Sequence, residues 1–281
     1  MPVTITLPEF SAPSEYPILQ VEPARWDADS LGSLARQHGL DAGFEDRGLW
    51  HIAQTERQVL EVYAASQSFR LSRRGAASEL DLASDSGLDE QEAIARAYDY
   101  LTPYLPAGVE SFASVFESEL LISEREGEEP KRLVIGTQVS LALSLDGVSL
   151  IGPGAKLQVT LDANGEVDSA YRMWRESTRI DVVPGRSADE LAARFGDSPM
   201  FSDLSDETAR VEVTSVSAGL LSVPPTERQP LLYPAVQLSG TVSTETASEV
   251  GFQTVIAAVD PRHLPDRRTV RVAAMPAVMI A

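Results

Sequence analysis

The sequence predicts an α+β fold: repeated blocks in which a short helix heads an antiparallel meander, giving curved antiparallel sheets with the helices packed on one face. Three observations predict it. Period-two alternation recurs at 112–123, 132–145, 155–162, 166–175, 209–221, 231–243 and 250–259, as half-buried strands require. Asp146-Gly147 and Asn164-Gly165 are two-residue hairpin signals between such runs, so neighbours join antiparallel. Short segments of helical period, at 29–38, 89–101 and 187–195, each precede a group of strands.

Taken in order, Tyr16 to Glu22 is β-rich and bounded by prolines. Asp27 or Asp29 can cap the first helix, which carries Leu31, Leu34 and Ala35 on one face and stops at Gly39. Runs 49–54, 57–64 and 67–72 read as a three-stranded meander, and 75–88 as a polar loop. The second helix opens on Asp89, Glu90 and Glu92, where negative charge complements the helix dipole, and ends before Pro103. Ala93, Ala97, Tyr100 and Leu101 form its apolar stripe. Ser187 with Glu190 fits a capping box for the third helix, and Gly196 fits its stop. A last strand is expected near 269–274. The blocks are expected at 1–85, 86–185 and 186–281, the last two either separate or sharing one core.

Charge and composition exclude several functions. The 281 residues carry 42 Asp and Glu against 23 Lys and Arg, a formal net charge of −19. A chain this acidic repels polyanions, so no nucleic-acid partner is expected. Without cysteine there is no disulfide, thiolate zinc site or cysteine nucleophile. No apolar run is long enough to span a bilayer, and Met1 to Phe10 lacks the features of a secretory signal. A cytoplasmic protein without membrane insertion is therefore expected, a mature secreted domain being the other reading.

Two passages resemble a known family. One runs from Gly147 through Gly152-Pro153-Gly154 to Val167, a glycine-rich turn leading into a hairpin. The other is Leu232 to Gly240, a strand with an internal proline. The helix openings Leu88 to Ala93 and Ser187 to Leu191 match the same pattern. Together, over about 85–260, these resemble PepSY-like and YycI-like bacterial proteins. The resemblance implies units of one helix on a meander, binding or regulatory roles, and no catalytic residues to carry over. Such proteins are usually exported or membrane-tethered, features this sequence does not show.

Motif chemistry is sparse. His38, His51 and His263 have no metal-ligand spacing, so neither a metal site nor a cofactor is expected. No nucleophile elbow or phosphate loop occurs, and Gly152-Pro153-Gly154 reads as a turn because no helix follows it. Asp162, Asn164 and Glu166 imitate calcium-ligand spacing within what is otherwise a hairpin turn. His38, beside the stop of the first helix, reads as a partner of the helix dipole. The most unusual stretch is Tyr171 to Glu176. On a continuous strand, Arg172, Trp174 and Glu176 would share one face. Two readings stand: a cleft with Trp174 as apolar wall, Arg172 as anchor and Glu176 as acid, base or orienting partner, or a cross-strand ion pair with Trp174 packed on the core. His51 is a second acid–base candidate, with Trp50 and Tyr63 as further ligand contacts. Trp26 beside Arg25 is a weaker one.

The function expected is a non-catalytic binding or regulatory module for a peptide or small apolar molecule. The alternative is a cofactor-independent cyclase or isomerase acting on an apolar substrate, such as a polyketide, in bacterial secondary metabolism. It would work by shaping the substrate in a closed cavity. The oligomeric state is not legible from the sequence.

Overall fold

The computed structural model describes residues 4–74, 88–122, 131–201, 209–244, 249–265 and 278–280. The strand expected near 269–274 lies outside these residues, as does all of the expected loop except Leu88. Along the chain run β1 (Thr4–Thr6), β2 (Glu15–Val21), α1 (Ala28–Gln37), β3 (Glu45–Asp46), β4 (Trp50–Gln54), β5 (Gln58–Tyr63) and β6 (Phe69–Arg73). Then come α2 (Glu90–Leu101), β7 (Val109–Ile122), β8 (Lys131–Leu145), β9 (Val148–Ile151), β10 (Lys156–Asp162), β11 (Val167–Met173) and β12 (Ser177–Pro184). After α3 (Ala188–Gly196) follow β13 (Arg210–Leu221), β14 (Leu231–Ser243), β15 (Val250–Ala257) and β16 (Val278–Ile280). The fold is α+β and mostly antiparallel.

The helices begin where side chains satisfy their orphan N–H groups. Asp27 accepts from the Ser30 amide at 2.8 Å while Ser30 Oγ accepts from the Asp27 amide at 3.0 Å. Gly39, at φ +69°, turns the chain after α1. Ser187 and Glu190 make the same reciprocal cap on α3. Ser187→Ala removes that cap and is expected to cost about 1 kcal/mol of stability, measured by chemical denaturation.

The first half of the sheet runs β3-β4-β5-β6-β11-β10-β8-β7, antiparallel throughout. Its register places Ala53, Leu60, Leu71, Ala170, Val159 and Val139 in one row across six strands. All six are buried. They form the inner face, against which Ala93, Ala97 and Leu101 of α2 and Leu31, Leu34 and Ala35 of α1 are buried in the same core. The opposite face carries Glu61, Arg70, Tyr171, Gln158 and Ser140, none fully buried. This one-sided burial is the origin of the period-two pattern. The second half centres on β13-β14-β15, and α3 seats Phe195 against Phe252, ring centroids 6.1 Å apart.

Two links join the halves. β9 returns from β8 through Asp146-Gly147, both at positive φ, and pairs in parallel with the end of β13. β2 pairs with the start of β14 and carries β12 at the sheet edge. β9 is the second arm of the hairpin that Asp146-Gly147 signals, whereas β12 is not apparent in the sequence pattern. Two expected strands end two residues early: 166–175 ends at Met173, and 250–259 ends at Ala257. Among the described residues, no helix is long and apolar enough to cross a membrane.

Candidate functional site

A cleft of about 430 Å³ opens beside the inner face of the first half-sheet. Its walls come from distant segments: Trp26 before α1, Leu34 and Gln37 of α1, Phe69 of β6, the Pro103–Ala107 turn after α2, and Arg172 with Glu176. Trp26 is held by its indole N–H, which donates to the Ser66 carbonyl at 2.8 Å and the Tyr63 carbonyl at 3.1 Å.

Arg172 and Glu176 meet because the chain bends. β11 ends at Met173, and a short link carries the chain to β12. Ser68 fixes the link, accepting from the Trp174 amide at 2.9 Å and donating to its carbonyl at 3.1 Å. Glu176 donates its amide to Gln67 Oε1 at 3.2 Å and accepts from the Glu22 amide at 2.8 Å. Arg172 Nη2 then lies 3.3 Å from Glu176 Oε1. Its Nε donates to the Tyr104 carbonyl at 3.1 Å and its Nη1 to the Gln67 carbonyl. Each guanidinium nitrogen thus has a protein partner. Burial lowers the Arg172 pKa, and the neighbouring Glu176 carboxylate opposes that shift. The Glu176 side chain is half-exposed, so its carboxylate is the charged group the cleft presents to solvent, with the exposed Gln37 amide as a second polar group on the wall.

The alternation expected through Glu176 therefore breaks. Met173, Trp174 and Arg175 are consecutive buried residues. Trp174 is 3% exposed, belongs to the core and does not line the cleft; its Nε1 has no hydrogen-bond partner among the described residues. The tryptophan on the cleft wall is Trp26. Arg175 is 2% exposed. Its Nη1 donates to the Val223 carbonyl at 3.1 Å and approaches Ser222 Oγ at 3.4 Å; its Nη2 donates to the carbonyls of Pro224 at 2.8 Å and Glu227 at 2.7 Å. This guanidinium ties the link behind the cleft to the loop between β13 and β14. The Gly152-Pro153-Gly154 turn closes on the same loop: a Cβ at Gly154 would land on the Val223 carbonyl oxygen.

The other candidates lie apart. His51, Val62, Phe69 and Arg172 are consecutive cross-strand partners, so His51 shares a face with Arg172. Three strand spacings separate them, roughly 14 Å. His51 Nδ1 instead lies 3.9 Å from Asp46 Oδ1. Trp50 and Tyr63 pair across β4 and β5 on the opposite face. Burial, followed by the Glu61 charge, raises the Tyr63 pKa. The Asp162–Glu166 turn is a hairpin: Asp162 Oδ1 accepts from the amides of Asn164 and Glu166 at 2.9 and 3.0 Å. Among the described residues, no cluster of His, Asp and Glu is arranged to hold a metal ion.

His38 corrects the dipole expectation. It caps α1 but is only 8% exposed, and burial depresses its pKa to about 4, so at neutral pH it carries no charge to offer the dipole. Tyr100 Oη lies 3.1 Å from its Nδ1 and Tyr104 Oη 3.3 Å from its Nε2. A neutral imidazole donates from one nitrogen and accepts at the other, which suits one phenol on each side. Phe69 packs edge-on, 5.2 Å between centroids. Of this cluster, Phe69 and Tyr104 line the cleft, and burial raises the Tyr104 pKa.

Comparison with known proteins adds the fold alone. No protein-family model matches the chain, and no curated protein does. Among solved structures, an uncharacterized protein from Eubacterium rectale ATCC 33656 is similar over 88% of this chain and 85% of its own, with a TM-score of 0.55 and 9% sequence identity.

Proposed function

We propose that this chain is a non-catalytic binding or regulatory module whose site is the cleft between α1, the Pro103–Ala107 turn and the β11–β12 link. The observation that carries this reading is the Arg172–Glu176 pair on a wall that includes the aromatic rings of Trp26, Phe69 and Tyr104. Aromatic walls favour a flat apolar body. With each Arg172 nitrogen engaged, the exposed carboxylate of Glu176 favours a hydrogen-bond donor or cation at one end of that body. The ligand is thus a small, largely apolar amine, free or as a side chain of a peptide. PepSY-like and YycI-like proteins fit the same reading. So does a division of the fold into helix-plus-meander blocks: α1 with β3–β6, α2 with β7–β11, α3 with β13–β15.

A thermal-shift and native mass-spectrometry screen of planar aromatic amines against the matching carboxylic acids tests the proposal. The amines are expected to bind and stabilise, by about 2.7 kcal/mol at a hundredfold excess over Kd, and the acids are not. Glu176→Gln removes the charge on the half-exposed side of the pair but keeps an oxygen that can accept from the largely buried Arg172, whose other nitrogens hold the Tyr104 and Gln67 carbonyls, so its stability should stay within about 1 kcal/mol of wild type. Its affinity for the amines should fall about tenfold. Equal binding of acids and amines, or unchanged affinity in Glu176→Gln, contradicts the reading.

A second reading rests on the Tyr104 phenol, which stands at the cleft and is hydrogen-bonded to neutral His38. When His38 carries its proton on Nε2 it donates to Tyr104 Oη and leaves the phenol O–H free to polarise a carbonyl, as a cofactor-independent cyclase or isomerase acting on an apolar molecule requires. It predicts that an apolar ligand recovered from the cleft is chemically altered, and that Tyr104→Phe leaves it unaltered.

A further inference from the structure

A second cavity, of about 480 Å³, opens where the two halves of the sheet meet. Three segments build it: the end of β2 with the residues just after it, the turn at Ala64 and Ala65 between β5 and β6, and the last residues of the loop before β14. Hydrogen bonds fix these segments to one another. The Val21 amide donates to the Pro230 carbonyl at 2.9 Å, and Ser66 Oγ donates to the Pro225 carbonyl at 3.0 Å. Gln229 is buried and braces the loop, its Oε1 accepting from the Val223 amide at 3.0 Å and its Nε2 donating to the Leu221 carbonyl at 2.8 Å. Pro23, Ala24, Ala64, Ala65 and Pro230 give the cavity an aliphatic wall. Two groups of opposite charge stand on it. Arg228 is exposed, and among the described residues its guanidinium has no hydrogen bond or ion pair. Glu22 is also exposed; its Oε1 accepts from Thr178 Oγ1 at 3.2 Å, and among the described residues its Oε2 has no partner. The Gln20 carboxamide on the same wall has no partner among those residues either.

From this unpaired arginine and half-engaged carboxylate on one fixed aliphatic wall, we propose that the cavity binds a small aliphatic zwitterion, its carboxylate on Arg228 and its ammonium on Glu22. The volume lies in the range of small-molecule sites. A guanidinium takes a carboxylate through two parallel hydrogen bonds, and the Gln20 carboxamide can donate or accept beside it. Charge selects the occupant. A simple anion would meet Glu22 and the net charge of −19, and a simple cation would meet Arg228. A molecule carrying both charges sets each against its opposite. The wall holds no ring on which an aromatic ligand could stack, so the body between the charges is aliphatic. This site is separate from the cleft beside Arg172, with which it shares no lining residue.

The test uses the full chain and probes of matched chain length: norleucine, 6-aminohexanoate, hexanoate and hexylamine. Calorimetry measures affinity, and amide NMR places the bound probe. A zwitterion is expected to bind, with shift changes at Ala24, Ala64, Ala65 and Gln229. Norleucine carries its charges side by side and 6-aminohexanoate at its two ends, so the tighter of them reads the span from Arg228 to Glu22. Hexanoate and hexylamine should each bind at least about tenfold more weakly than that zwitterion. Arg228→Gln and Glu22→Gln alter exposed side chains, and the second keeps an oxygen for Thr178. Both should melt as wild type does, while affinity for the zwitterion falls at least about tenfold. Glu176→Gln should leave that affinity unchanged. Absence of binding by either zwitterion at about 1 mM would overturn the proposal. So would equal binding of hexanoate or hexylamine, or unchanged affinity in both Arg228→Gln and Glu22→Gln. Loss of affinity in Glu176→Gln would move the probe to the first cleft and overturn the second site.

Discussion

Arg175→Ala is expected to lower the stability of the protein by about 3–5 kcal/mol, the largest effect of any single side-chain truncation considered. The guanidinium is buried, and its donors serve the carbonyls of Val223, Pro224 and Glu227, with Ser222 Oγ at longer range. Burial draws its pKa down to about 10, still high enough for a full charge at neutral pH. Truncation opens a cavity and strips those carbonyls of their donor in a place where water replaces it poorly. Arg175→Lys keeps a charge but lacks the planar fork that reaches several acceptors at once, so it should recover only part of the loss. Urea denaturation with an unchanged m-value measures it directly. A loss below about 1 kcal/mol in Arg175→Ala would show that this arginine does not hold the link to the loop.

The second large effect concerns pH. His38 titrates near 4 in the folded protein, against about 6.5 for an unperturbed histidine. Between those values the unfolded chain binds a proton that the folded one refuses. Stability therefore rises with pH through this window and is lost as pH falls from about 6.5 toward 4. The full difference is about 3 kcal/mol. Other groups also titrate here, since the chain carries 42 carboxylates. The informative quantity is accordingly the difference between wild type and His38→Gln. Against His38→Gln, wild type should lose about 3 kcal/mol on going from pH 7 to pH 4. Parallel stability curves for the two proteins would mean that the imidazole is not buried in neutral form between Tyr100 and Tyr104.

The local elements of this fold were legible because they are encoded locally. Caps at Asp27 and Ser187, the stop at Gly39 and the turn at Asp146-Gly147 act within a few residues, and each stands where the pattern puts it. β1 and β12 are different. Thr4 to Thr6 pairs with Arg210 to Glu212, and Ser177 to Pro184 pairs with β2, across most of the chain. No short window contains both partners, so periodicity cannot reveal them.

The candidate site was half legible. Arg172 and Glu176 do meet, but through a bend after Met173 rather than by alternation along one strand. That bend depends on Ser68, Gln67 and Glu22, and Arg175 on a loop about fifty residues downstream. The aromatic walls, Trp26, Phe69 and Tyr104, come from three separate segments. In the sequence Trp174, set among charged neighbours, stood out more than Trp26 beside Arg25, yet Trp174 fills the core and Trp26 lines the cleft. His38 looked like a charged cap because Gly39 follows it; the tyrosines that surround it arrive from α2 and the turn beyond.

The claim that the cleft is the ligand site is tested most directly by two-dimensional amide NMR of the full chain, titrated with a planar aromatic amine. Shift changes are expected to cluster at Trp26, Phe69, Tyr104 and Glu176, with the Trp26 indole N–H among the largest, and to be much reduced in Glu176→Gln. Changes centred on Trp50, Tyr63 and His51, or changes that persist in full in Glu176→Gln, would contradict it.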